Sequence, residues 1–324
     1  MGKRYLFVRR RRARNVLATV LAAAASGLVL GMLLRWKQPA AEVVPLATSQ
    51  QRQPKSVDSD SGEDKTALVP LNEGLTQVIS QLKQEVKAEL TGFLPPKFQG
   101  VTLKEVKLPS KEKVIALTFD DGPWPGSTEK ILKILKKNNI KATFFMVGEP
   151  LKEYPQIAQL VAADGHAIGN HTWHHWYHRM SEATAAREIN DTEALIYKIT
   201  GVKSSIFRPP GGMLNNGLVA YAKKQKYFVA MWSADSIDYR RPSVPTLVNK
   251  VLKESQPGGM VLLHDGGGDR SNTVQALPQI IDKLQNRGYK FVTIPELLEM
   301  QNKELQLAAA KSAGSNNSAG KISP

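Results

Sequence analysis

The sequence predicts an α/β protein: a small, distorted or incomplete (β/α) barrel with about seven strands, preceded by an N-terminal transmembrane helix and a flexible linker. Two observations carry the barrel. Between Pro109 and Met300, short apolar runs alternate with stretches whose apolar residues recur at helical spacing, which implies a parallel sheet covered by helices. Only about seven such units fit there, fewer than a full eightfold barrel needs. A third observation carries the membrane helix: Val16–Leu34 is an apolar run without a charge. A doubly wound open sheet satisfies the same alternation. In either architecture, chemistry belongs at the C-terminal ends of the strands.

In chain order, residues 1–14 are a basic segment expected in the cytoplasm. Residues 15–35 are expected to form a signal anchor. At about 1.5 Å per residue, the uncharged run just spans the ~30 Å hydrocarbon layer. The arginine block before it keeps the N-terminus inside and sends the rest of the chain outward. The run ends in Leu33-Leu34-Arg35-Trp36 rather than at a small-x-small site, so cleavage is not expected. The expected location is therefore the cell membrane, single-pass, with the main domain extracytoplasmic. Residues 36–74, rich in Pro, Ser, Gln and Asp, read as a disordered linker. Within 75–108, Leu75, Val78, Ile79, Leu82, Val86 and Leu90 recur at the spacing of an amphipathic helix, followed by a lead-in.

The domain proper is read as 109–300. Strands are expected at Val114–Phe119, Ala142–Val147, His166–Asn170, Ser205–Arg208, Tyr227–Ser233, Met260–His264 and Lys290–Thr293. One intervening helix should start near Ser127 as cap. Another, "SEATAAREINDTEALIYKITG", should close at Gly201 in a left-handed cap. Residues 301–324 read as a flexible tail.

The net charge of +15 points to nucleic acid or an anionic surface. However, nine Lys and Arg and no acid lie in residues 1–37, which leaves 35 bases against 29 acids elsewhere. The basicity belongs to the anchor, so no nucleic-acid partner is expected. With no cysteine in the chain, any metal must be held by His, Asp or Glu.

The polar oddities fall at strand ends. "LTFDDGPWPG" places Asp120 and Asp121 side by side where a buried strand breaks. Two adjacent carboxylates are either a solvated turn or a cation site. "GNHTWHHWYH" holds His171, His174, His175 and His178, four of the six histidines in the chain. His171 and His175 are spaced i and i+4, which puts two imidazoles on one side of a helical turn; His174 and His178 share that spacing. Two histidines and one aspartate make a three-ligand set that leaves room for water and substrate, as catalytic metal sites require. "FRPPGG" contributes Arg208 and Gly211, "WSADSIDYRRP" contributes Asp235, Asp238 and Tyr239, and "GGMVLLHDGGG" contributes Leu262 and His264. Singly, each has a bland reading as a turn or a packed core histidine. Five clusters at five strand ends are harder to assign to chance.

"TFDDG", "HTWHH", "RPPGG", "DSIDY" and "LLHD" together resemble the polysaccharide deacetylases, carbohydrate esterase family 4, over about Lys113 to Thr293. The chain departs from that pattern at Gly211, where an aromatic is common, and at Tyr239, where Trp is common. The resemblance implies removal of N-acetyl groups from N-acetylglucosamine-type sugars. It implies that Asp121, His171 and His175 hold one divalent metal ion, zinc by expectation, with cobalt, nickel or manganese open. It further implies Asp120 as general base, Arg208 as its orienter, His264 as acid and Asp235 as the partner fixing its tautomer. The Gly211 N–H would face the oxyanion, and Tyr239 and Leu262 would wall the methyl pocket.

The expected partner is an acetylated amino-sugar polysaccharide, most naturally peptidoglycan for an outward-facing tethered domain. Chitooligosaccharide, poly-N-acetylglucosamine and acetylxylan are the alternatives, and a monomer is expected. A non-catalytic, membrane-tethered glycan-binding protein is the rival class. The facial triad of iron oxygenases shares the ligand set but sits on an all-β scaffold, which strand–helix alternation disfavours.

Overall fold

The strand at Val114–Asp120 (β2) organises the molecule, because all seven of its residues are buried. A strand covered on both faces must be apolar throughout, which is what "VIALTF" supplies. In the computed structural model, which describes residues 94–318, β2 lies inside a nine-stranded sheet. The other strands are β1 (Thr102–Leu103), β3 (Thr143–Met146), β4 (Ala167–Asn170), β5 (Ile206–Phe207), β6 (Phe228–Ala230), β7 (Ala234–Asp235), β8 (Gly259–His264) and β9 (Lys290–Phe291). The order is β1-β6-β5-β4-β3-β2-β8-β7, with β9 on β2, and every ladder is parallel. An antiparallel bridge from Glu105 to Gly259 joins the segment after β1 to the start of β8, so the curled sheet meets itself at its base. This parallel, curled (β/α) half-barrel is the expected class, with short strands β1 and β7 added to the seven predicted.

Alternation along β2 sorts its side chains into two cores. Ile115, Leu117 and Phe119 pack outward with the helices Ser127–Lys137 (α1), Val244–Glu254 (α6) and Ser271–Asn286 (α7). Val114 and Ala116 face the other way, into a cluster with Phe145, Ile206, Phe228, Ala230 and Met260. Leu94, Phe98, Val106 and Leu108 from the lead-in, with Ile294, Leu297 and Leu298 from the last helix (α8, Ile294–Ser318), complete that cluster. The barrel is thus plugged at its base, and its interior turns polar only at the top, where Thr118 and Asp120 continue the inward series. The site's position follows from this gradient.

The helices between are α2 (Gly148–Glu153), α3 (Pro155–Ala163), α4 (Glu182–Thr200) and α5 (Leu218–Lys224). In α4, Ser181 Oγ accepts from Thr184 N, and Gly201 takes the expected left-handed conformation at φ 70°. In α1 the cap differs. Gly126 is the capping residue, its N–H donating to Glu129 Oε2, while the Ser127 hydroxyl donates to the Asp265 carbonyl. Two boundaries also move. The sheet begins before residue 109, at β1, and the expected tail from 301 is instead helical to Ser318. Gln301 Nε2 donates to the Lys107 carbonyl, and Glu304 accepts from Ser110, which ties the helix to the lead-in.

No helix among the described residues is long and apolar enough to cross a membrane. The expected anchor at 15–35, the linker at 36–74 and most of the 75–108 helix lie outside the described residues.

Candidate metal and acyl-transfer site

In a regular strand, neighbouring side chains point to opposite faces. Asp120 and Asp121 escape that rule because β2 stops at Asp120 and Asp121 adopts φ 74°, so both carboxylates approach the His171 imidazole. A left-handed aspartate costs about 1 kcal/mol or more and persists only where its surroundings hold it. Here the glycine run after β8 does so: a Cβ on Gly266 would lie 2.2 Å from the Asp121 carbonyl oxygen, and one on Gly267 would lie 2.8 Å from Asp121 Oδ2. Only glycine permits that approach.

The two carboxylates face different partners. Asp120 Oδ1 accepts from Arg208 Nη1 at 2.7 Å. The fully buried Arg208 guanidinium also donates to Thr118 Oγ1 and to the carbonyls of Ala230 and Met231, and lies 4.2 Å from the centroid of the Phe145 ring. A buried cation so completely partnered is a fixed strut. Asp121 Oδ1 is buried, has no hydrogen-bond partner of good geometry, and lies 3.1 Å from His175 Nε2 and 3.6 Å from His171 Nε2. Burial opposes its ionisation, but the close His175 imidazole and the positive charge of nearby His264 outweigh it and hold Asp121 below its ordinary range.

His171 Nδ1 lies 2.7 Å from the Arg208 carbonyl, a contact that fixes Nδ1 as the donor and leaves the Nε2 lone pair aimed at Asp121. Burial pushes its pKa down to about 4, against the pull of Asp120, so the ring is neutral. One ligand atom each from Asp121, His171 and His175 lies within 4.8 Å of the others. An orphaned carboxylate oxygen facing two imidazole nitrogens, one with its tautomer fixed, fits a divalent cation with nitrogen and oxygen ligands.

The helical turn expected for His171–His175 is not there. Residues 171–180 are irregular, with Thr172 at φ 69° and His175 at φ 60°, and convergence comes from these two left-handed residues. The loop is held by Glu188, a buried carboxylate on α4 that the sequence reading missed. It accepts from the N–H groups of Trp173 and His174, and pairs with His174 Nδ1 at 2.5 Å. His174 therefore belongs to the support of the loop. His178 packs against Trp176.

His264 is in direct register with Asp120 on the adjacent strand, so the two side chains point to the same face from neighbouring strands. Its partner corrects the sequence expectation. Asp238, not Asp235, holds the ring, with Oδ1 2.6 Å from Nδ1 and Oδ2 accepting from the His264 backbone N–H. Asp235 instead accepts from Ile237 N and from the Tyr239 hydroxyl. The reversal comes from Ile237 at φ 54°, which turns the short 3-10 segment Asp238–Arg240 back over β8. Burial disfavours the charged ring, but the bond to Asp238 and its charge, helped by Asp120 and Asp121, push His264 up to about 9.

Leu262 lies one inward step below His264 on β8 and is buried. Tyr239 is exposed, its ring edge-on to His264 at 5.7 Å. Gly211 sits in the 3-10 turn Pro210–Gly212 at φ 57°. Arg270 was also missed: its Nη2 lies 3.9 Å from Asp121 Oδ2, and its Nε donates to the Gly266 carbonyl.

Comparison with known proteins places the chain among its relatives. A family model described as polysaccharide deacetylase matches residues 107–230. The chain is 42% identical over 200 residues to a peptidoglycan-N-acetylglucosamine deacetylase of Bacillus cereus, an alignment taking in 60% of this chain and 93% of the relative. It is 30% identical over 245 residues to the peptidoglycan-N-acetylmuramic acid deacetylase PdaA of Bacillus subtilis, covering 74% and 89% of the two chains. The crystal structure of the Bc1960 peptidoglycan N-acetylglucosamine deacetylase, in complex with 4-naphthalen-1-yl-N-oxidanyl-benzamide, aligns with a TM-score of 0.58 at 34% identity. That alignment covers 62% of this chain and 94% of that one. With nearly the whole of a relative aligned at such identity, the chain belongs to the polysaccharide deacetylase family.

Proposed function

We propose that the protein is a metal-dependent deacetylase that removes N-acetyl groups from N-acetylglucosamine residues of peptidoglycan. It would act as a monomer tethered to the outer face of the cell membrane by residues 15–35. One observation carries the chemistry: a carboxylate and an imidazole, Asp120 and His264, in register on adjacent strands, flank the Asp121–His171–His175 cluster. A divalent cation held there, zinc or one of cobalt, nickel and manganese, would polarise the acetamide carbonyl and acidify a water.

The chain's own groups do the rest. Asp120, fixed by Arg208, takes the proton from the attacking water. His264 carries a proton at neutral pH and gives it to the departing nitrogen, while Asp238 keeps that proton on the ring until it is needed. The Gly211 N–H is assigned to the developing oxyanion, and Leu262 and Tyr239 to the acetyl methyl. The similarity to deacetylases of peptidoglycan supports peptidoglycan as substrate.

The test is acetate release by the full-length protein from purified peptidoglycan, chitotetraose and acetylxylan, with and without chelator. Release from peptidoglycan, abolished by chelator and restored by metal, is expected. Release from chitotetraose or acetylxylan alone moves the substrate assignment. No release from any of them with metal present overturns the enzyme reading in favour of glycan binding.

A further inference from the structure

Tyr177 lies two residues beyond His175, and its ring reaches the turn that carries Gly211. A Cβ on Gly211 would lie 2.6 Å from Tyr177 Cε1 and 3.0 Å from Cδ1, so the ring already fills the volume that any side chain at 211 would need. On its other side the ring meets the His175 imidazole edge to face, at 5.1 Å between centroids and 86° between planes. Tyr177 is nonetheless 54% exposed. The neighbouring Trp176 is stacked flat on His174 at 4.2 Å and packs against His178, so its ring is already engaged. Tyr177 alone on this loop is clamped between a ligand residue and the Gly211 turn while presenting a large surface to water.

We propose that Tyr177 is a specificity-determining, substrate-contacting residue. It forms the wall between the metal cluster and the Gly211 N–H, and packs on the pyranose ring of the sugar whose acetamido group is attacked. This rests on the deacetylase reading above. The warrant is chemical: a pyranose offers C–H groups to an aromatic ring and hydroxyls to a phenol, and an aromatic held by its neighbours loses little freedom on binding. Gly211 is the complement of that ring, since its missing side chain is what lets Tyr177 reach across.

The experiment measures chitotetraose binding by calorimetry on the full-length protein without metal, and KM, kcat and metal affinity with it. Tyr177→Ala is expected to weaken chitotetraose binding and raise KM by about fivefold, with kcat changed less and metal affinity unaltered. Tyr177→Phe should retain most of the binding. Gly211→Tyr should bind poorly because two rings compete for one volume, and adding Tyr177→Ala to it should recover binding. Unchanged chitotetraose affinity in Tyr177→Ala overturns the proposal, whether or not acetate is released. So does a parallel fall in metal affinity, which would make Tyr177 a brace for His175. Failure of the deacetylase reading would appear separately, as wild type that binds sugar without releasing acetate.

Discussion

Replacing Asp238 by Asn tests the proton-donor half of the mechanism. Asn keeps the volume and an acceptor oxygen but removes the negative charge that sits 2.6 Å from His264 Nδ1. His264 is pushed up to about 9, well above an ordinary imidazole, which favours the imidazolium by about 3 kcal/mol. Asp238 supplies the largest share of that rise, and the charges of Asp120 and Asp121 survive the substitution. The expected result is a basic limb of kcat/KM displaced downward by at least about one unit, with the plateau rate reduced about ten- to a hundredfold. The assay is acetate release from chitotetraose between pH 5 and 10.5, wild type against Asp238→Asn and Asp235→Asn. A bound cation adds positive charge and draws every limb downward, so the difference between proteins is the measured quantity. An unmoved limb in Asp238→Asn, or a larger displacement in Asp235→Asn, refutes the assignment.

The aspartate pair should separate cleanly. Asp120→Asn is expected to keep bound metal and lose at least about a hundredfold in rate, whereas Asp121→Asn should lose metal affinity, both read by metal titration beside acetate release. Arg208→Ala leaves Asp120 buried without its partner and empties a packed position, so urea denaturation should show a loss of about 3–5 kcal/mol. The His264–Asp238 pair also predicts a pH dependence of stability. Because the folded pKa is raised, its contribution is complete below about pH 6.5 and lost as pH rises through about 9. The stability gap between wild type and Asp238→Asn should therefore narrow over that window in chelated protein.

Much of this was legible in the sequence because periodicity and strand-end chemistry are local. β2 announces itself as "VIALTF", and the Asp pair after it marks a break that a structural turn does not require. Ser181 and Gly201 bracket α4 with the residues its ends demand. What escaped depends on backbone torsions that composition does not reveal. The convergence of His171 and His175 comes from left-handed Thr172 and His175, not from a helix. The choice of Asp238 over Asp235 hangs on left-handed Ile237, a β-branched residue that carries no signal for such a turn. Glu188 and Arg270 were missed for a different reason: each lies on or beside a helix in a pattern that reads as an ordinary charged face. Helical spacing on α4 could still have singled out Glu188, which falls in line with buried Ala185, Ile189 and Thr192.

The most direct test of the account is metal content of the folded, full-length protein by mass spectrometry after dialysis against a mixture of divalent ions. Wild type is expected to hold one ion per chain, with His171→Ala and His175→Ala each losing it while circular dichroism stays unchanged. Folded wild type that takes up no ion, or both variants retaining it at full occupancy, contradicts the claim that Asp121, His171 and His175 form a metal centre.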